Sequence, residues 1–440
     1  MKTNLKHEEN TRYFYSGFLF EEYIDFNHFK ETVKKAGFSV DDKENMNDIY
    51  KYFVNNMDWS HKKTLDKIYF ESILYSQLKN VYVHTFNNNL SIETFKQNIN
   101  KILEGLKTDS KVPTNFLRKM NKDGFYLMDG LNITVAGSTF ISGLDYVDNN
   151  EKTKKARILL VQTVKDEKDK TKYFIAGIEI NFIERTCLIL IRNISKIKEP
   201  DENISGDYNR SIGKFYNYVK EQILNKLIGN VTTIDRDSDR ESIYKVCKKL
   251  DEDLLKDVRQ EVTDKAYTAI VNSVNNYMGK LYVVNERPKK PEKDELVRNI
   301  QSLLLSNYIK NKYDTKQLVK KAKKLNLIGY TTKLKFKGNN SNTGSTRSSS
   351  SKHPVSQSDM FHSLYINFEG AKELENWGIS WFTDTKFSDE KNIEVIQTTI
   401  YSTSTYFKIV FLPKKPLNEE IINYVVRQLN KQRSLKPVNE

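Results

Sequence analysis

Between residues 124 and 193, runs rich in β-branched and aromatic residues follow one another closely: GFYLMDGLNITVAG, ARILLVQTV, KYFIAGIEINF and RTCLILIRN. The joins are short and polar. KDEKDKT (165–171) links the second run to the third, and Glu184–Arg185 links the third to the fourth. Parallel neighbours need a crossover of about a dozen residues or more, which these joins do not supply. The segment therefore predicts an antiparallel meander. Within it, IEINF alternates apolar and polar, as for a strand with one solvated face, while CLILI is apolar throughout and predicts burial on both faces.

The flanks read as helices. TLDKIYFESILYSQLKN carries Leu65, Ile68, Tyr69, Ile73 and Leu74 at helical spacing, and SIETFKQNINKILEGL opens on Ser91, a good N-cap. After the meander, NRSIGKFYNYVKEQILNKLIG and SDRESIYKVCKKLDEDLLKDV are helical, the second with Ser238 and Glu241 placed as a capping box. Asp235, Asp237 and Asp239 suggest a calcium loop only superficially. Arg240 stands where that loop needs glycine, and Val246 where it needs glutamate. The expected class is α+β, divided as 1–120 helical, 121–200 antiparallel sheet, 201–280 helical, 281–337 a basic helix-helix-strand unit, 338–358 a disordered linker, and 359–440 a small sheet with one helix. The linker is expected because GNNSNTGSTRSSSSKHPVSQS has too little apolar surface to offset its ordering entropy. Beyond it, SLYINFEG, GISWFTDTKFS and IEVIQTTIYSTSTYFKIVFLP read as strands.

With 25 Tyr and 23 Phe in 440 residues, a sizeable core can form despite the 29% of charged residues. Cys187 and Cys247 are too few for a disulfide framework or a cysteine-rich zinc site, and both sit in apolar settings that predict buried thiols. The N-terminal stretch has no signal-peptide core, and the longest apolar run, around CLILI, is far too short to span a bilayer. The expectation is a cytoplasmic protein with no membrane partner. The bias towards Lys, Asn, Ile and Tyr matches an AT-rich bacterial or phage genome.

The net charge is +14. Residues 281–337 hold 15 Lys or Arg against 5 Asp or Glu, a net of +10, so most of the excess lies in 57 residues. At its centre, TKQLVKKAKKLNLIGYTTKLKFK (315–337) has eight lysines and no acid. On a helical wheel Leu318, Val319, Ala322 and Leu325 form an apolar stripe that should dock on Leu296, Val297, Ile300, Leu303 and Leu304 of the preceding helix. Lys316, Lys320, Lys321, Lys323 and Lys324 lie opposite or at the border, and alternation puts Lys333, Lys335 and Lys337 on one face of the following strand. The order helix, helix, basic strand is that of a winged helix-turn-helix. These eight lysines are the candidate nucleic-acid-binding residues. Lysine suits phosphate contact, and with only Gln317 and Asn326 nearby the stretch lacks the means to read bases.

Other chemistry is sparse. The nuclease candidates are Asp166–Lys168 in a charged turn, Glu71 with Gln77–Lys79, and Glu179 on a strand. The six histidines show no metal-ligand spacing, and no nucleophile elbow, P-loop or dinucleotide loop occurs. TRYFYSGF and NRSIGKFYNYVK interleave aromatic and basic residues, yet aromatics at helical spacing are chiefly core. The sequence thus predicts a sequence-nonspecific nucleic-acid-binding protein, DNA being the expected partner, in a bacterial phage-defence or mobile-element setting, with no cofactor or metal. The alternatives are a metal-dependent nuclease with dispersed carboxylates, and a scaffold that docks a protein partner through the C-terminal sheet.

Overall fold

The structure, a computed structural model, describes residues 15–86, 90–107, 111–129, 132–149, 152–194, 196–198, 211–229, 231–232, 235–283, 286, 288–337, 343–350, 352–371 and 373–433. The chain forms two compact units. Unit 1 spans Met1–Thr232 with Lys415–Asn418, and unit 2 spans Thr233–Lys414 with Glu419–Glu440.

Unit 1 contains a 3-10 turn at Gly17–Tyr23, then α1 (Phe26–Lys35), α2 (Met46–Asn56), α3 (Trp59–Ser76), β1 (Asn80–Thr85), α4 (Ile92–Lys107), α5 (Thr114–Leu117), β2 (Phe125–Tyr126), β3 (Thr139–Asn149), β4 (Lys152–Lys165), β5 (Thr171–Asn181), β6 (Thr186–Ile191), α6 (Ile212–Tyr218) and α7 (Asn225–Ile228). A π-helical turn, Val219–Leu224, joins α6 to α7. The strands run in the order β2-β3-β4-β5-β6-β1 with every neighbour antiparallel, so the meander holds. Two details differ from the sequence reading. GFYLMDGLNITVAG contributes only Phe125–Tyr126, and the long strand β3 lies outside the four runs that read as strands. Its pattern is broken by register shifts at Ile141/Gly143 and Val147/Asp148, which spoil simple alternation.

The solvated face expected for IEINF is also corrected: β5 is buried continuously from Tyr173 to Asn181. Helices cover both faces. On one side α6 places Tyr216 in a stack on Tyr82 at 4.0 Å and Phe215 against Phe174 at 4.3 Å. On the other lies α3, seated by two glycines. A Cβ on Gly143 would stand 2.6 Å from Phe70, and one on Gly177 only 2.3 Å from Leu74. The polar residues of β5 are there because their charges are answered inside. Register aligns Asp145, Arg157 and Glu179 across β3, β4 and β5. Arg157 Nε donates to Asp145 at 2.9 Å and its Nη2 to Glu71 of α3 at 2.8 Å. Lys155 meets Glu179 at 2.8 Å, and the Tyr75 hydroxyl donates to the same carboxylate.

Unit 2 contains α8 (Arg236–Leu281), α9 (Lys290–Lys312), α10 (Thr315–Lys324), β7 (Gly329–Lys337), β8 (Thr343–Arg347), α11 (Asp359–Ser363), α12 (Tyr365–Gly370), β9 (Leu374–Phe382), β10 (Val395–Ser402), β11 (Phe407–Phe411) and α13 (Glu419–Gln432). Its five strands are all antiparallel in the order β11-β10-β9-β7-β8. The cap of α8 is Asp235, whose carboxylate accepts from the Ser238 N–H, so the helix starts earlier than a Ser238 capping box implies. From there it runs 46 residues without a break, roughly 70 Å at 1.5 Å per residue.

Leu318, Val319 and Ala322 of α10 pack as expected into a core, with Leu254, Val258, Leu305 and Ile309. The partner face of α9 is only partly the one expected: Leu305 and Ile309 pack with α10, Val297 is buried but against Ile270 and Val274 of α8, and Leu303 and Leu304 are exposed. The Leu-Leu-Leu run left the phase of the helix undetermined, and α8 rather than α10 is its main neighbour. SLYINFEG is helical, not a strand, with Tyr365 and Phe368 buried in α12.

The disordered linker is corrected over most of its length. Residues 338–342 and 351 lie outside those described, but Thr343–Arg347 form β8, paired with β7 from Lys333↔Arg347 to Lys337↔Thr343. Ser348 N–H donates to the Thr332 carbonyl at 2.8 Å, and Val355 is buried. The segment orders through backbone bonds to an existing strand, so its lack of apolar side chains does not prevent it. Consequently β9 and β10 belong to the same sheet as β7 and are not a tethered module.

Gly177→Val should lower stability by about 3 kcal/mol, because the buried Leu74 cannot retreat from the added methyls. Gly105→Ala, in α4 where a Cβ meets nothing within 4 Å, should leave the melting temperature unchanged or raise it. Paired thermal melts of the two variants check the seat of α3.

Candidate nucleic-acid interface

The sequence expectation treats eight lysines as one outward face, and the structure divides them. Lys323 is buried at 2% exposure. Its ammonium donates to Asp384 at 2.9 Å and lies 4.5 Å from the Phe387 ring centroid. Lys321 pairs with Asp257 of α8. Lys335 and Lys337 share Glu375, at 3.0 and 3.5 Å. Half of the proposed set is therefore matched to carboxylates from elsewhere in unit 2, acids that the local sequence cannot display. The helical wheel failed at Lys323 because loop 383–394 folds over that side of α10 and brings Asp384 with it.

Lys316, Lys320 and Lys324 remain. They stand at i, i+4 and i+8 on α10, are exposed, and have no ion-pair partner among the described residues. The helix that carries them is well specified. Asp314 caps it by accepting from Gln317 N–H at 2.7 Å, and the Gln317 side chain accepts from Asp314 N–H at 2.8 Å. Its basic last turn also complements the helix C-terminus.

Lys333 is the other residue without an acid partner among the described residues. Register places it directly opposite Arg347 of β8, a residue the sequence reading did not mark. Burial, then the like charges of Arg347 and Lys335, depress the Lys333 pKa. Two cations held side by side with no carboxylate between them leave a local positive field. The signal for Arg347 was present as a cation in a serine-rich stretch, but only the pairing of β8 with β7 gives it a place.

The winged-helix order α9, α10, β7 exists, but β7 is an interior strand between β8 and β9 and not a free wing.

The nuclease candidates do not assemble. Among the described residues no group of three or more His, Cys, Asp or Glu is placed to hold a metal ion. Glu71 and Glu179 belong to the cation-paired row of unit 1, where Arg157 is only 1% exposed. Asp166 is a turn cap, accepting from the N–H groups of Lys168 and Lys170. His84 is a packing residue: it is buried, with Nε2 3.1 Å from the Tyr216 hydroxyl. Both cysteines are buried thiols. Burial, with a smaller effect from Glu179, pushes Cys187 well above its ordinary value, and burial pushes Cys247 up to about 12. Of the interleaved aromatic stretches, Phe215 and Tyr216 are core, and residues 11–14 lie outside the described ones.

A cavity of about 220 Å³ in unit 2 is lined by Arg259, Arg298, Gln301, Tyr365 and Glu369. Arg259 is already paired with Asp251 at 2.6 Å, and Glu369 faces the same space, so the charges largely cancel and the cavity is a poor anion site.

No described helix is long and apolar enough to cross a membrane. Comparison of the chain with protein-family models, with curated proteins and with solved structures finds no match.

Two outcomes test this division of charge. Arg157→Leu should destabilise the protein by about 3–5 kcal/mol in a denaturant titration, since Asp145 and Glu71 are left facing an apolar side chain. For Asp384, the Asp389 N–H and the Lys323 ammonium hold the carboxyl well below its usual 3.8. A depressed folded pKa gives stability that is complete above 3.8 and is lost as pH falls through that value towards the depressed one. Lys323→Met should therefore lower the melting temperature most at about pH 6, with the gap to wild type narrowing below pH 3.8. A gap that stays constant across this range would show that the pair does not set the stability.

Proposed function

We propose that unit 2 binds nucleic acid, DNA in the first instance, through its phosphate backbone and without selecting sequence. The observation that carries this reading is the row Lys316, Lys320 and Lys324: three exposed ammonium groups on one face of a capped helix, left over after the neighbouring lysines have found acids. Lys333 and Arg347 extend the positive field. Point charges of this kind neutralise phosphates and release counterions, which makes affinity steeply salt-dependent. The one Arg, Asn or Gln within α10 is Gln317, whose side-chain oxygen already accepts from the Asp314 N–H, so the helix offers no bidentate contact of the kind that discriminates base pairs.

The compositional bias and the absence of housekeeping motifs favour a bacterial phage-defence or mobile-element role. The reading sets the protein in the cytoplasm, where bacterial DNA lies.

The test is anisotropy titration of labelled duplexes over a range of salt. Wild type should bind unrelated sequences alike. Lys316→Glu/Lys320→Glu/Lys324→Glu should weaken all of them and flatten the salt slope by up to about three units. The matched reversal Lys51→Glu/Lys63→Glu/Lys67→Glu, on exposed positions of unit 1, should change neither property. Absence of binding by wild type at about 50 mM salt, or an unchanged slope in the α10 variant, would refute the proposal.

A further inference from the structure

The sheet of unit 2 has two unlike faces. One carries Trp377, Ile379, Trp381, Ile400, Ile409 and Phe336, all buried. Phe368 of α12 meets Phe336 there at 5.8 Å, and Arg433, just past α13, lies 4.0 Å from the Phe407 ring centroid.

On the opposite face Thr399 and Gly378 are buried, Tyr401, Asn376, Lys408, Lys333 and Lys335 are half-exposed and Ser345 and Arg347 are exposed, and register sets these residues out in two rows. One row reads Lys408, Tyr401, Asn376, Lys335, Ser345 across β11, β10, β9, β7 and β8. The next reads Val410, Thr399, Gly378, Lys333, Arg347. Directly opposed residues share a face, so these side chains form one surface. With Lys337 it carries five cations, of which Lys335 and Lys337 are paired with Glu375.

Two features give the surface its shape. A Cβ on Gly378 would stand 3.0 Å from Lys333 Cβ and 3.1 Å from Thr332 Oγ1, so the glycine keeps the centre of the second row low. The bulge between Thr331 and Lys333 shifts the register of β7 so that Lys333 and Lys335 join this face. Along β9, Phe382 lies on the same face as Gly378 and Ser380, and it packs with Leu318, Val319 and Ala322. Helix α10 therefore borders the surface at its far end.

We propose that this face is a platform for single-stranded nucleic acid, on which Tyr401 stacks an unpaired base while Lys333 and Arg347 hold the flanking phosphates. The inference rests on the reading of unit 2 as a phosphate-directed binder and adds the strandedness of its ligand. The argument for a single strand is the mixture of groups. A stacked duplex offers no base face to a flat tyrosine, whereas an unpaired base does. The Lys408 ammonium lies 5.2 Å from the Tyr401 ring centroid and 5.5 Å from that of Tyr406. Burial lowers its pKa, which marks a cation only partly solvated.

The experiment compares binding of an oligo(dT) and of a duplex of the same length by the full chain, in wild type, Tyr401→Ala, Tyr401→Phe and Lys316→Glu/Lys320→Glu/Lys324→Glu. The inference expects wild type to favour the single strand. Tyr401→Ala should weaken oligo(dT) binding roughly five- to a hundredfold with little change for the duplex, and Tyr401→Phe should bind as wild type, since the ring does the stacking. Photocrosslinking with 5-iodouracil in the oligonucleotide should label Tyr401. If Tyr401→Ala binds oligo(dT) as wild type does, or weakens both ligands alike, the platform is refuted. In that case, loss of binding in the α10 variant leaves the phosphate-directed reading standing. If wild type binds neither ligand, both are refuted.

Discussion

Pairing of charge within the fold decides how much charge is left to act outside it. This protein carries a large cationic excess, and its cores take in ions of both signs: Arg157 with Asp145 and Glu71, Lys155 with Glu179, Lys323 with Asp384. Each buried ion is tolerable only because its counter-charge is within bonding distance and further donors complete the shell. In unit 1 this requirement fixes the seat of α3 on the sheet, because Glu71 and Tyr75 reach the charged row from the helix while Gly143 and Gly177 admit its apolar side chains. In unit 2 the same requirement pins loop 383–394 to α10. The unmatched cations stand out against this background.

That background separates what the sequence could and could not reveal. Antiparallel pairing was legible because the joins at 165–171 and 184–185 are too short for anything else. Helix α10 and its apolar stripe were legible because Leu318, Val319 and Ala322 keep strict helical phase. Solvation of IEINF was misjudged, since periodicity reports which residues share a face and not whether a helix carrying Glu71 will cover it. The serine-rich segment was misjudged for a related reason. Backbone pairing to β7 needs no apolar side chains, so composition says little about a strand added to a preformed edge.

The candidate site was legible by half. Counting lysines located the basic region, but it could not subtract Asp257, Asp384 and Glu375, which reach those lysines from across the fold. The lysines that stay available on α10 are spaced four apart, and that spacing was visible in advance. Arg347 and the Lys408–Tyr401 row were not, because their alignment depends on the order β11-β10-β9-β7-β8, in which β7 crosses to pair with β9 and β8. What emerges is a set of positive charges on α10 and on the adjoining strands β7 and β8, reached by subtracting the paired lysines and adding Arg347 opposite Lys333.

The most direct measurement is the acetylation rate of each lysine, read by mass spectrometry on the intact chain with and without oligonucleotide. The account predicts that in the free protein Lys316, Lys320 and Lys324 react readily while Lys323 is inert, and that nucleic acid protects the first three and changes nothing at Lys323. Comparable reactivity at all four positions, or no protection of the α10 row when nucleic acid is present, would contradict it.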